Sequence, residues 1–279
     1  MENRPKIVVL PLQPDRGQDF NGMGLGIHFL LGNLLAVHTG FAEFWFGWRI
    51  KNLFSKIEDL RSFTRGSGPL FPLPEHAARE KIRFWVSGKY RQYKDYIIVS
   101  VTVNDFDMQR EYMWELRIDP FDHLIGFSKQ FLSLVDDHIL DLPHGQFAKA
   151  FWHEKITFQG LDFLGYAVDA TYEGMITGEE LNLKWFEKAV LDSPESYLIN
   201  DLKGWALYKN RNYSKAVEFF SNAIKINPNG LGALAGMMWC NISKKERDIA
   251  TKFCFAKADV RNESHAKAKA FIDKKFKNY

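Results

Sequence analysis

Apolar residues change their spacing along this chain, and the changes mark its elements. Residues 6–12, Lys-Ile-Val-Val-Leu-Pro-Leu, read as a buried strand. A Gly-rich loop follows, Gly22-Met-Gly24-Leu-Gly26, and then an apolar helix to about His38. Phe44 to Ile50 is aromatic and β-prone, and Arg65 to Pro74 is a loop marked by Gly and Pro. Strand patterns return at Ile82–Tyr90 and Tyr96–Val103, joined across Gln92-Tyr-Lys-Asp95, and at Glu111–Ile118 after the turn Asn104–Asp107. Asp122–Leu140 is amphipathic at helical spacing, with Leu124, Phe127, Phe131, Leu134, Val135 and Ile139 on its apolar side. The order is β-α-β, a meander, then a helix, which predicts an α/β domain with a mixed sheet over residues 1–142.

Beyond a linker at 143–160, the pattern becomes helical and repeats. Phe186 aligns with Phe220, Ala189 with Ala223, and Pro194 with Pro228, all at an offset of 34 residues. Phe and Ala three apart share a helical face, and the proline closes the helix. Gly204 and Ala216 are small where two helices of a pair must approach closely, and Tyr213 stands between them in sequence. This spacing of small, aromatic and proline residues resembles the tetratricopeptide repeat. The middle copy, Tyr197 to Gly230, fits the pattern closely. The first, Leu161 to Ser196, has Ala170 at the glycine position and Asn182 at a usual alanine. The third, Leu231 to Ser264, keeps Ala250 in phase, with Cys254 for Phe and Asn262 for Pro. A last helix, Ala266–Phe276, would cap the stack, as solenoid ends require. The expectation for residues 161–279 is therefore an all-α solenoid of tetratricopeptide type.

The first half carries a resemblance of its own. Val9-Leu-Pro-Leu12, Asp19, Gly22 and Gly24, then Ala77-Ala78, Val86-Ser-Gly88, Val99-Ser-Val-Thr-Val103, Asp105–Asp107 and Trp114 follow in the order of the TolB-like N-terminal domain. That domain often precedes tetratricopeptide repeats in bacterial proteins, so the two resemblances support each other. The β-propeller of periplasmic TolB and the cyclase domain found in some relatives have no counterpart here. The resemblance implies an architecture and no reaction.

Composition narrows the classes. The 279 residues are 46% hydrophobic and 25% charged, the balance of a folded chain, and the length suits two domains. Aromatic residues make up 15%, mostly for core, with some available to line a binding surface. The net charge of +3 is too small to favour nucleic acid or membrane. The charge is uneven, however: Ser243–Tyr279 holds 11 Lys/Arg against 5 Asp/Glu, or +6, which leaves −3 for the rest. The apolar run near the start is broken by Pro11, too short for a signal segment, and Ile27–Phe46 is interrupted by His28, Asn33, His38 and Glu43. The expectation is a cytoplasmic protein, without a membrane span, whose two cysteines, Cys240 and Cys254, are reduced and packed in the core.

Candidate chemistry is sparse. Gly22, Gly24 and Gly26 precede a helix whose free N–H groups could hold an anion. The spacing departs from the dinucleotide fingerprint, no P-loop lysine follows, and Asp19 would repel a phosphate. Asp136, Asp137, His138, Asp141 and His144 could supply metal ligands, and a metal hydrolase would use Asp137, His138 and Asp141. A solvated helix end before Leu142-Pro143 accounts for the same residues. Trp152-His153-Glu154 lacks the second histidine of a zinc helix, and packs the linker instead.

The sequence thus points to a non-enzymatic adaptor or scaffold, without cofactor or metal, that binds a protein partner through a short repeat stack. Tyr166 and Asp169 in the first copy, and Asn200, Lys203 and Leu207 in the second, would line its groove. The alternative is a regulatory subunit sensing a nucleotide at Gly22–Gly26.

Overall fold

The computed structural model describes residues 5–16, 21–38, 43–45, 54–67, 73–119, 124–138 and 154–277. Strand β1 (Lys6–Val9) forms where the opening apolar run lies, and β2 (Gln13–Pro14) follows it. Helix α1 (Met23–His38) comes next, then β3 (Glu43–Trp45), α2 (Ile57–Thr64) and α3 (Leu73–Glu80). The meander is β4 (Phe84–Gln92), β5 (Ile97–Asp105) and β6 (Arg110–Ile118), closed by α4 (Ile125–His138).

Among the described residues, the six strands form one sheet, in the order β3-β1-β4-β5-β6, with β2 paired to β4. β1 is parallel to both β3 and β4, whereas β4–β5 and β5–β6 are antiparallel with continuous nine-residue registers. The mixed sheet expected from the element order is present. Its antiparallel part is two-faced: Val99, Val101 and Val103 are buried, while Ser100 between them is exposed, the alternation that one packed face imposes.

Among the described residues, seven helices follow α4: α5 (Phe158–Thr177), α6 (Lys184–Asp192), α7 (Tyr197–Lys209), α8 (Tyr213–Ile226), α9 (Leu231–Ser243), α10 (Arg247–Val260) and α11 (His265–Lys277). Their bounds fall on the helix pairs read from the 34-residue offset. α5 starts inside the stretch expected as linker; residues 143–153 of that stretch lie outside the described residues. Thr157 caps α5 by accepting the Gly160 N–H, Ser196 caps α7 by accepting that of Ile199, and Gly178 ends α5 in a left-handed turn.

Every residue of α1 except Ala36 is buried. A helix apolar all round needs cover on all sides, and here the sheet supplies one side and α5 the other. One hydrophobic core consequently runs from Ile7 and Val99 in the sheet, through Leu30 and Leu34 of α1, to Phe186, Phe220 and Cys240 in the helices. A smaller core joins α9, α10 and α11 around Ile242, Ala250, Cys254 and Ile272. No helix among the described residues is long and apolar enough to cross a membrane.

Candidate functional site

The chain leaves β1 toward β3 on one side and reaches β4 on the other, so the C-terminal end of β1 is a switch point, where open α/β sheets usually bind ligands. The loop there leads into Gly22-Met-Gly24-Leu-Gly26 and α1. All three glycines are consumed by packing. A Cβ on Gly22 would overlap the Asp162 carbonyl of α5, one on Gly24 the Leu12 carbonyl, and one on Gly26 would lie 2.5 Å from the Leu161 carbonyl oxygen. The reverse contact is as close, since a Cβ on Gly165 would overlap the Gly22 carbonyl.

The place an anion would take at this helix start holds a side chain instead. Asp162 Oδ1 accepts the Gly22 N–H at 2.6 Å. Burial raises the Asp162 carboxyl above its usual range, and the Gly22 bond opposes that. Tyr90 closes the other flank: its hydroxyl donates to Asn21 Oδ1 at 2.8 Å, and burial pushes it up to about 12. Asn21 also donates to Gln92 at 2.9 Å. These groups tie the loop to β4 and α5.

The first helix of each pair turns toward α1. His28 Nε2 lies 2.6 Å from the Tyr172 hydroxyl of α5, and the Tyr197 hydroxyl at the start of α7 donates to Asn33 Oδ1 at 3.5 Å. α1 also touches α9. Full burial drives His28 down to about 3, so this contact is made by a neutral imidazole.

The five residues read as a groove lining do not form one open strip. Tyr166 is half-buried and stacks on Trp185 at 4.6 Å. Asp169 accepts from Arg61 of α2 at 2.7 Å, and Arg61 also bonds Glu173. Asn200 is buried and donates to the carbonyls of Pro194 and Ser196. Lys203 is buried, reaching Glu187 at 2.8 Å with its ammonium 4.5 Å above the Phe219 ring. Leu207 is buried as well.

Of the possible metal ligands, Asp136 pairs with His38 at 2.6 Å, and Asp137 and His138 are exposed. Asp141 and His144 lie outside the described residues, as do Trp152 and His153. Among the described residues no group of three His, Cys, Asp or Glu is placed to hold a metal. Glu154 is buried and accepts from Ser196 Oγ and from the Leu198 N–H at 3.4 Å, at the start of α7.

Within the helices, Phe220 of α8 fills the space between α7 and α9. A Cβ on Gly204 would come 2.6 Å from its ring, and one on Gly236 would overlap it, so small residues admit the ring from both sides. Ala216 and Ala223 beside it are fully buried. At the far end a surface patch forms that sequence spacing does not bring together. Trp239 of α9 meets Phe271 of α11 edge-on at 5.7 Å, and the Lys275 ammonium lies 5.0 Å from the Trp239 ring centre. Trp239 and Phe271 are half-buried, and Lys267 and Lys274 beside them on α11 are exposed.

Compared with known proteins, the chain matches no family model and no curated protein sequence.

Proposed function

We propose that this chain is a non-enzymatic adaptor, an α/β domain of TolB-like type joined to a short tetratricopeptide-type stack that holds a protein partner. The observation that carries this reading is the packing of Phe220, the aromatic of the 34-residue offset, against Gly204 of α7 and Gly236 of α9. Phe186 and Ala189 of α6 are buried at the corresponding positions one pair earlier.

The partner surface follows from what already covers the stack. α1 lies against α5, reaches α7 at Tyr197, and touches α9. The Trp239–Phe271–Lys275 patch on α9 and α11 stands beyond those contacts. Its Phe271 and Lys275 sit in the stretch with the +6 charge, so a partner segment with acidic side chains and an apolar anchor suits it. Aromatic rings give such a site contact area at low entropic cost, and the lysines speed encounter.

Affinity capture from native lysate at low salt, with wild type beside the double variant Lys267→Glu/Lys274→Glu, tests the reading. A stoichiometric protein should elute from wild type, weaken with salt, and be missing from the variant. Recovery by both removes this surface as the docking site, and recovery by neither removes the adaptor reading.

A further inference from the structure

β6 stands at the end of the sheet order and, among the described residues, pairs with β5 alone. A nine-residue edge strand presents a row of unpaired N–H and C=O groups, a template for another strand. Edges are commonly blunted by proline, lysine or a bulge. Arg110–Ile118 contains no proline and no lysine, and its register with β5 is unbroken over nine pairs. Its solvent-side residues are Glu111, Met113, Glu115 and Arg117, all exposed, with Met113 at 73% the most exposed apolar side chain among the described residues of the sheet. Its core-side residues include Trp114, Leu116 and Ile118.

From this edge we infer that β6 pairs antiparallel with β6 of a second copy of the chain, about a twofold axis at Trp114. A twofold antiparallel pair must keep core side against core side, which leaves only registers centred on a residue. Centring on Trp114, the midpoint of the strand, pairs all nine residues. That register sets Glu111 opposite Arg117 of the second copy, twice, and Met113 opposite Glu115, twice. Centring on Met113 sets Glu111 against Glu115 twice. Centring on Glu115 sets that carboxylate against its own copy and Glu111 against Asp119. Like charges directly opposite are unfavourable, and opposite charges favourable. Among the registers that pair at least seven of the nine residues, the charges therefore select the one of full length. Arg117 now bonds Asp119 at 2.8 Å, both largely exposed, so its guanidinium can also reach a carboxylate across the edge. The two sheets would then join into one continuous sheet.

The test uses the full chain in sedimentation equilibrium and cross-linking. Wild type should be a dimer. Glu111→Arg and Arg117→Glu should each weaken dimerisation about tenfold or more by placing like charges across the edge twice, and the double variant should restore it. An equimolar mixture of Met113→Cys and Glu115→Cys chains should form a disulfide-linked heterodimer faster than either forms a homodimer, because those positions face each other. A wild-type monomer at the highest soluble concentration would overturn the inference. So would a dimer that survives both single reversals, or cross-linking that favours the homodimer of Met113→Cys chains. Both charge positions are exposed, and circular dichroism of the single variants confirms that they remain folded.

Discussion

Asp162 accepts the backbone N–H of Gly22 at 2.6 Å across 140 residues of sequence, and so α5, the first of the C-terminal helices, caps the start of α1. Around this bond the two helices approach backbone to backbone, since Gly165 leaves no room for a side chain beside the Gly22 carbonyl. The nearness has a direct energetic consequence. Gly165→Ala should destabilise the chain by about 3 kcal/mol or more, as a Cβ there can be relieved only by moving backbone. Gly178→Ala supplies the contrast: its added Cβ meets open space, and the cost is about 1–2 kcal/mol for the left-handed φ of +82°. Urea unfolding of both variants checks the ranking, and equal losses would show that α1 and α5 are not in close contact.

The packing of the helix pairs makes a second prediction. Phe220→Ala should cost about 3–5 kcal/mol, because a fully buried ring is lost from between two helices whose glycines make room for it. Leu191→Ala, at a side chain 86% exposed, should change stability by about 0.5 kcal/mol at most. Thermal unfolding of the pair separates core from surface at once.

Asp201 makes stability depend on pH in a direction opposite to most carboxylates. It is buried on α7 against the Gly232 backbone, its Oδ1 has no hydrogen-bond partner, and burial pushes its carboxyl up to about 8 while a Trp205 bond opposes the rise. A folded-state pKa above the usual 3.8 means that the folded chain holds the proton more tightly than the unfolded one. The stability this contributes is fully present below about pH 4 and is lost as pH rises through about 8. Asp201→Asn should therefore be more stable than wild type at pH 8, by up to a few kcal/mol, and the advantage should shrink toward pH 4. Melting curves of both proteins across that range measure it. An advantage that does not change with pH would show that Asp201 is ionised throughout.

The two cysteines should be silent in the folded chain. Burial pushes the Cys240 thiol up to about 12, and Cys254 is raised by the same cause. Thiolate is the reactive form, so neither should react with a thiol reagent at pH 8 until denaturant is added. Rapid labelling of native protein would contradict the packing of α9 and α10.

Local patterns carried most of the fold. The 34-residue offset placed the paired helices from α6 to α10, since Phe and Ala at helical spacing report which face is buried. Alternation located β4, β5 and β6 to within two residues at each end. What covers a polar face was not legible. Asn200, Lys203 and Leu207 lie at positions that would line an open groove in an isolated stack. In the fold they are buried, and Lys203 is compensated by Glu187 on the preceding helix. The glycines of the loop after β1 looked like an anion cradle because glycine admits close approach of any group. Here the approaching group is the α5 backbone at Gly22 and Gly26, a contact set by residues far away in sequence, and the Leu12 carbonyl at Gly24. Trp239, Phe271 and Lys275 were similarly hidden, for each reads alone as an ordinary helical position.

Site-resolved photo-cross-linking in native lysate tests the adaptor reading most directly. A photoreactive residue is placed at Lys267, beside Phe271 on the exposed side of α11, or at Tyr166 on α5. A discrete protein adduct from position 267, lost at high salt and absent from position 166, is the predicted result. An adduct from 166 with none from 267, or no adduct from either, would contradict it.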